Sequence, residues 1–209
     1  MRLKHVKGAS EVVESSKYII QNPNEYRGKF IQLFKNNNPI YIEIGMGKGQ
    51  FIIENAIRYP NINFIGIEKY DSVLIRAVQK LEEMDLPNLK LIRIDANNID
   101  KIFNHEIDRI YLNFSDPWPK SRHEKRRLMS PNFLQKYEHI FKTTNQIVFK
   151  TDNRKLFEYA IQIFNEQKFK INEISLDLYQ DDVIDNIPTE YEIKFHELGF
   201  PIYKIDVQK

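Results

Sequence analysis

The chain has 209 residues, 42% of them hydrophobic and 29% charged, enough for one domain with a substantial core and too short for two full ones. The net charge is only +2 and there is no cysteine, which excludes a disulfide scaffold and thiolate metal sites, fits the cytoplasm, and requires any polyanion to be held by a local patch. No apolar run approaches the roughly 18 residues of a membrane span, the N-terminus lacks a signal-peptide core, and the five histidines show no ligand spacing, so no metal is expected.

Residues 1–22 are mixed polar and basic (Arg2, Lys4, His5, Lys7) and show little periodicity, reading as a loose terminus or as a basic arm for phosphate. Tyr26, Phe30, Leu33 and Phe34 then recur at helical spacing after Pro23 and predict a helix closed by Asn36–Pro39. Residues 1–38 therefore read as an extension with one helix, and 40–209 as the core of a single domain.

From Ile40 onward apolar strands alternate with amphipathic helices. Strands are expected at Ile40–Ile44, Asn63–Ile67, Leu89–Ile94, Arg109–Phe114 and Gln146–Phe149, with two late ones near Phe169–Ser175 and Ile202–Val207. Helices are expected at Phe51–Tyr59, around Val73–Leu81, after Ser130-Pro131 (an N-cap and first-turn proline), and around Leu156–Phe164. Near-continuous apolar strands alternating with helices imply a parallel sheet covered on both faces, with ligands outside the carboxyl ends of its strands.

Those strand ends carry the chain's chemistry. Glu43-Ile44-Gly45-Met46-Gly47-Lys48-Gly49 turns from strand to helix, and the glycines let backbone approach a ligand closely. A dinucleotide fingerprint needs a third glycine at position 50, which is Gln50. The spacing is G-x-G-x-G after a carboxylate, unsuited to a pyrophosphate and suited to a nucleoside with a cationic amino-acid tail, as in S-adenosylmethionine. Glu68, 19 residues past Gly49, suits ribose hydroxyls, and Asp95 suits an adenine amino group. For each acid taken alone, capping the following helix is the competing reading.

Asp116-Pro117-Trp118-Pro119 follows the fourth strand, with two prolines limiting the directions of the carboxylate and the only tryptophan. Trp118 could stack on a purine or fill the core; Asp116 could orient a base or cap a turn. Lys120, Arg122, Lys125, Arg126 and Arg127 follow, interrupted by Ser121, His123 and Glu124. Such a run is usually a solvated face, but beside the reactive edge it points to a phosphate backbone.

Asn113–Leu128 as a whole resembles the signature of the bacterial tRNA (guanine-N7-)-methyltransferases, which modify guanosine 46 of the variable loop. Thr151-Asp152-Asn153-Arg154-Lys155-Leu156-Phe157-Glu158-Tyr159 and Thr189-Glu190-Tyr191-Glu192-Ile193-Lys194-Phe195 agree, so with Glu43–Gly49 the likeness spans residues 40–207. Met46, Pro188 and Tyr179 depart from the pattern, which bears on local loop shape. The resemblance implies a class I S-adenosylmethionine-dependent methyltransferase (Rossmann-like) α/β fold: a seven-stranded, mostly parallel sheet with helices on both faces and an antiparallel last strand. It implies a cytoplasmic enzyme, monomer or homodimer, that uses S-adenosylmethionine and tRNA. Glu43, Gly45, Gly47, Gly49, Glu68, Asp95 and Asp116 would hold the cofactor, with Asp116 also catalytic. Lys120, Asp152, Thr189, Glu190, Tyr191 and Glu192 would bind substrate, and Arg122, His123, Glu124, Lys125, Arg126 and Arg127 would contact RNA. From the residues alone, helix capping competes for Thr189, Glu192 and Asp152. An exocyclic-amine methyltransferase, an NAD oxidoreductase and a non-catalytic RNA-binding module are the rivals.

Overall fold

The computed structural model describes residues 8–181 and 186–209, so Arg2, Lys4, His5 and Lys7 lie outside the described residues. Among the described residues seven strands form one sheet: β1 (Ile40–Ile44), β2 (Asn63–Glu68), β3 (Leu89–Arg93), β4 (Ile107–Asn113), β5 (Phe141–Thr151), β6 (Lys170–Ser175) and β7 (Tyr203–Gln208), in the order β3-β2-β1-β4-β5-β7-β6. The strands from β3 to β5 pair in parallel, whereas β7 runs antiparallel to both β5 and β6. The β1/β4 junction is where the strand order reverses, and so opens a crevice at the carboxyl edge.

Helices α1 (Ala9–Ser15), α2 (Gln50–Arg58) and α3 (Asp71–Leu81) cover one face; α4 (Ile99–Ile102), α5 (Pro131–Ile140) and α6 (Arg154–Glu166) cover the other. The β1 side chains of Ile40, Ile42 and Ile44 pack with Ile110, Leu112, Phe149, Phe157 and Phe164 in the larger core. Each such apolar side chain contributes about 1.5–3 kcal/mol when buried. On the opposite face Ile52, Ala56, Leu74, Val78 and Phe64 form the second core. A last helix, α7 (Glu190–Glu197), buries only Glu192.

Three local expectations change. The single helix over Tyr26–Phe34 is instead two short 3-10 turns, Pro23–Tyr26 and Phe30–Leu33. Gly28, at φ 74°, separates them, and the Glu106 carboxylate accepts from the Gly28 and Phe30 amides, drawing the backbone away from a continuous helix. The helix of this region lies earlier: α1 packs Ala9 and Val13 against α3, and Tyr18–Ile20 then bonds to Leu91 on the β3 edge. Ser130 occupies the N-cap position of α5, but its hydroxyl donates to the Lys125 carbonyl rather than capping the helix.

Candidate active site

The carboxyl ends of β1, β2, β3 and β4 surround a cavity of about 550 Å³, a size typical of small-molecule sites. Gly45, Glu68, Asp95, Asp116, Trp118 and Arg126, all singled out from the sequence, line it together. Gly45 and Gly47 lie at φ 79° and 58° with open space where a Cβ would stand, leaving the turn accessible. Gly49 serves packing instead. A Cβ there would meet Ala77 Cβ at 2.8 Å, so this glycine lets α2 and α3 come together.

Glu43 lies next to the end of β1 and is wholly buried. Its Oε1 accepts from Asn113 Nδ2 at 2.8 Å, while Oε2 and Asn113 Oδ1 have no partner among the described residues. Burial pushes the Glu43 carboxyl up to about 7; the Asn113 bond and the Lys150 charge pull it down, and Glu68 pushes it up. A buried carboxylate with orphaned acceptors beside it fits an ammonium donor, as the tail of S-adenosylmethionine provides. Asn113 opens the Asn113–Leu128 motif, yet nothing in its spacing points to this grip on Glu43.

Glu68 joins two loops: Oε1 accepts from the Lys69 and Tyr70 amides, and Oε2 from Gly47 at 3.2 Å. Burial raises its pKa against those three bonds. Asp95 does cap, accepting from the Asn97 amide at the start of the 3-10 turn Ala96–Asn98. Its other oxygen binds Lys69 at 2.7 Å, and that lysine holds the carboxyl below its ordinary range. The capping reading thus holds for Asp95 while the residue still faces the cavity.

Asp116 is exposed at the cavity rim, within a loop where Phe114 (φ 50°) and Trp118 (φ 40°) are left-handed. Arg127 maintains that shape, donating from Nε to the Pro117 carbonyl and from Nη2 to the Trp118 carbonyl, both at 3.1 Å. Its guanidinium also lies 4.3 Å from the Tyr159 ring centre. Arg126 lies 4.9 Å over Trp118, and His123 meets the same indole edge-on at 5.6 Å. Lys120, Arg122 and Lys125 are exposed, and Glu124 is half-buried. The basic run therefore divides into loop supports and solvent-facing cations, a division sequence spacing does not reveal.

The substrate-side residues divide similarly. Asp152 is half-buried, which raises its pKa, and the cap of α6 is its neighbour: Asn153 accepts from the Leu156 amide at 2.9 Å. The capping reading of Asp152 is thereby replaced. Tyr191 is 44% exposed, its ring 5.0 Å from Phe114, and both burial and the Asp152 charge raise its pKa. Thr189 and Glu192 form a capping box at the start of α7. Glu192 is fully enclosed: Oε2 pairs with Lys150, and Oε1 accepts from Tyr179 and Asn186. It therefore supports the site rather than facing it. Glu190 ties α7 to the glycine loop and α3 through Lys48 at 3.1 Å and Lys80 at 2.6 Å. Among the described residues no cluster of three or more potential metal ligands occurs, and no helix is long and apolar enough to cross a membrane.

This sheet order, with an antiparallel β7 and an acid- and glycine-lined crevice at the β1/β4 junction, defines a class I S-adenosylmethionine-dependent methyltransferase fold. Two solved structures share it: an antibiotic-related methyltransferase (TM-score 0.65, 18% identity, 87% of this chain and 92% of that one) and a SAM-dependent methyltransferase from Aquifex aeolicus (TM-score 0.56, 11% identity, 98% and 99%). A family model described as "Putative methyltransferase" matches residues 37–205. The tRNA (guanine-N(7)-)-methyltransferase of Listeria welshimeri is 50% identical over 210 aligned positions, covering 100% of this chain and 98% of that protein. The chain belongs to the tRNA (guanine-N7-)-methyltransferase family.

Proposed function

We infer that the protein transfers a methyl group from S-adenosylmethionine to N7 of guanine in tRNA, at position 46 of the variable loop. The observation that carries this reading is the meeting of Glu68, Asp95 and Asp116 in one crevice, with Glu43 buried behind its glycine loop and a basic run beside it, in a chain of this family. When bound, the cofactor supplies an electrophilic methyl on a sulfonium. Glu43 with Asn113 takes the ammonium, Glu68 the ribose hydroxyls, and Asp95 the adenine amino group, while Gly45 and Gly47 leave room for close approach.

Guanine N7 carries a lone pair and no proton, so no general base is required. The protein's work is alignment, which can be worth roughly 7–11 kcal/mol. The methylated purine is cationic, and the Asp116 and Asp152 carboxylates, on the loops after β4 and β5, stabilise charge as it develops. Tyr191, beside Phe114 and Asp152, offers a face on the guanine side with Thr189 and Glu190 framing it; Trp118 offers another on the cofactor side. Lys120, Arg122, Lys125 and Arg126, flanked by His123 and Glu124, hold tRNA phosphate. Residues 40–209 act as one catalytic core with 1–38 as an extension, in a monomer or homodimer working without a metal in the cytoplasm.

The test is incubation with unmodified tRNA and labelled S-adenosylmethionine, followed by mass-spectrometric mapping of the product. Methyl at N7 of guanosine 46 is expected; methyl on an exocyclic amine or at another position refutes the reading. Asp116→Ala should lower kcat at least about 100-fold, with tRNA affinity within about threefold of wild type.

A further inference from the structure

Lys150 ends the apolar run Ile147–Phe149 of β5, and its side chain is only 3% exposed. Its ammonium has three hydrogens and three acceptors: Asn186 Oδ1 at 3.2 Å, the Ile187 carbonyl at 3.0 Å and Glu192 Oε2 at 2.5 Å. All three acceptors belong to Asn186–Glu192, the segment leading into the substrate-side helix. On the other side Lys150 is the sheet partner of Asn113, the residue that grips Glu43. Its backbone carbonyl also receives the amide of Phe114, where the left-handed loop begins.

A buried ion pair is weak evidence for stability, because well-packed apolar side chains of similar volume often serve equally well. What the pair adds here is a charge at a particular place. We propose that Lys150 is a positioning residue shared by the two halves of the active site: it anchors Asn186–Glu192 on the guanine side and sets a positive charge near the cofactor-side carboxylate Glu43. The assignment of the two halves rests on the methyl-transfer reading above.

The charged and polar groups around this pair come from several elements. Asn113, Lys150 and Glu68 act on Glu43, the first two favouring its charged form and Glu68 opposing it. Burial pulls the Lys150 pKa down, Glu192 and Glu43 hold it up, and Lys204 on β7 opposes them; the Phe51 ring of α2 lies 5.1 Å away. Tyr179 and Asn186 bond to Glu192 from its other side.

Two variants separate charge from geometry without leaving an unpaired buried ion. Lys150→Met combined with Glu192→Leu removes the pair, and Lys150→Arg keeps the cation but replaces three donors splayed about one nitrogen by a larger planar fork. The measurements are S-adenosylmethionine titration by calorimetry from pH 6 to 9, and KM for tRNA. In the double variant the pH at which S-adenosylmethionine binding is half-maximal should move upward by about one unit. Affinity at pH 7 should fall about 3–10-fold, because Glu43 is then less often ionised. Lys150→Arg should retain the wild-type binding profile while raising KM for tRNA about tenfold. A double variant whose S-adenosylmethionine profile coincides with wild type overturns the proposal, as does Lys150→Arg with an unchanged KM. The cofactor titration uses no tRNA, so its failure is distinguishable from failure of the tRNA assignment.

Discussion

Glu43 and its immediate partners state the conflict at the heart of the site. The folded protein holds this carboxyl at about 7 where a free one sits near 4.5, so the folded chain binds a proton more tightly than the unfolded chain. For this group the contribution to stability is therefore fully present below about pH 4.5 and is lost as pH rises through 7. An ammonium ligand reverses the preference by favouring the carboxylate. Glu43→Gln should raise the melting temperature of the cofactor-free protein at pH 8 by several degrees and flatten the decline between pH 5 and 8. It should also weaken S-adenosylmethionine binding at least about tenfold. Thermal melts across that range, with calorimetry at pH 8, check both; an equally steep decline in the variant would count against the origin assigned to it. The identity of this acid is legible from its place before Gly45. Its burial, its bond to Asn113 and the orphaned Oε2 are not, because they depend on which strand lies beside β1.

The turn from Asp116 to Arg127 is the element where sequence and structure divide most sharply. Two prolines signal its stiffness, yet the restraint on Trp118 comes from Arg127, nine residues later, bonding two carbonyls of the loop. Arg127→Ala leaves both carbonyls without that partner. It is expected to cut kcat/KM about 10–100-fold and lower the melting temperature by a few degrees, with the salt dependence of tRNA binding unchanged. Arg127→Lys, a point charge without the fork, should restore little. A variant that stayed fully active but lost about one unit of salt slope would instead mark Arg127 as a phosphate contact. The N-terminal elements give the complementary lesson. Helical spacing from Tyr26 to Phe34 is real and Phe30 is buried, but Gly28 and the reach of Glu106 outweigh it. The α1 helix is not legible in the sequence, because a seven-residue segment with two buried positions carries almost no periodicity and depends on its contact with α3.

At the scale of the molecule, a net charge of +2 leaves association with a polyanion to a small set of exposed cations. Lys120, Arg122 and Lys125 are exposed on the segment that follows the cavity rim. Replacing all three by Ala should reduce the log–log salt slope of tRNA binding by about 2–3, at roughly 0.7–0.9 per phosphate, and leave S-adenosylmethionine affinity unchanged. Filter binding across a salt series, with calorimetry for the cofactor, measures both. A slope unchanged in the triple variant would move the RNA path to another face.

By itself the sequence determined the alternation of strands and helices, the parallel character of the sheet, and the acids placed at its strand ends. These are local matters: apolar periodicity, turn residues and the distance of each acid from the preceding strand are all read within a few residues. Only the tertiary structure decided which of those residues face the cavity and which support it. Glu192 turned inward to Lys150, Arg127 to the Trp118 loop, and Gly49 to Ala77, while Asn153 rather than Asp152 capped α6. The partners in three of these pairs are separated by nine to 42 residues, Arg127–Trp118 being nine apart and Lys150–Glu192 42 apart. Arg127 and Trp118 meet within the one loop between β4 and α5, while Lys150–Glu192 and Gly49–Ala77 meet only once the sheet has placed the elements that carry them.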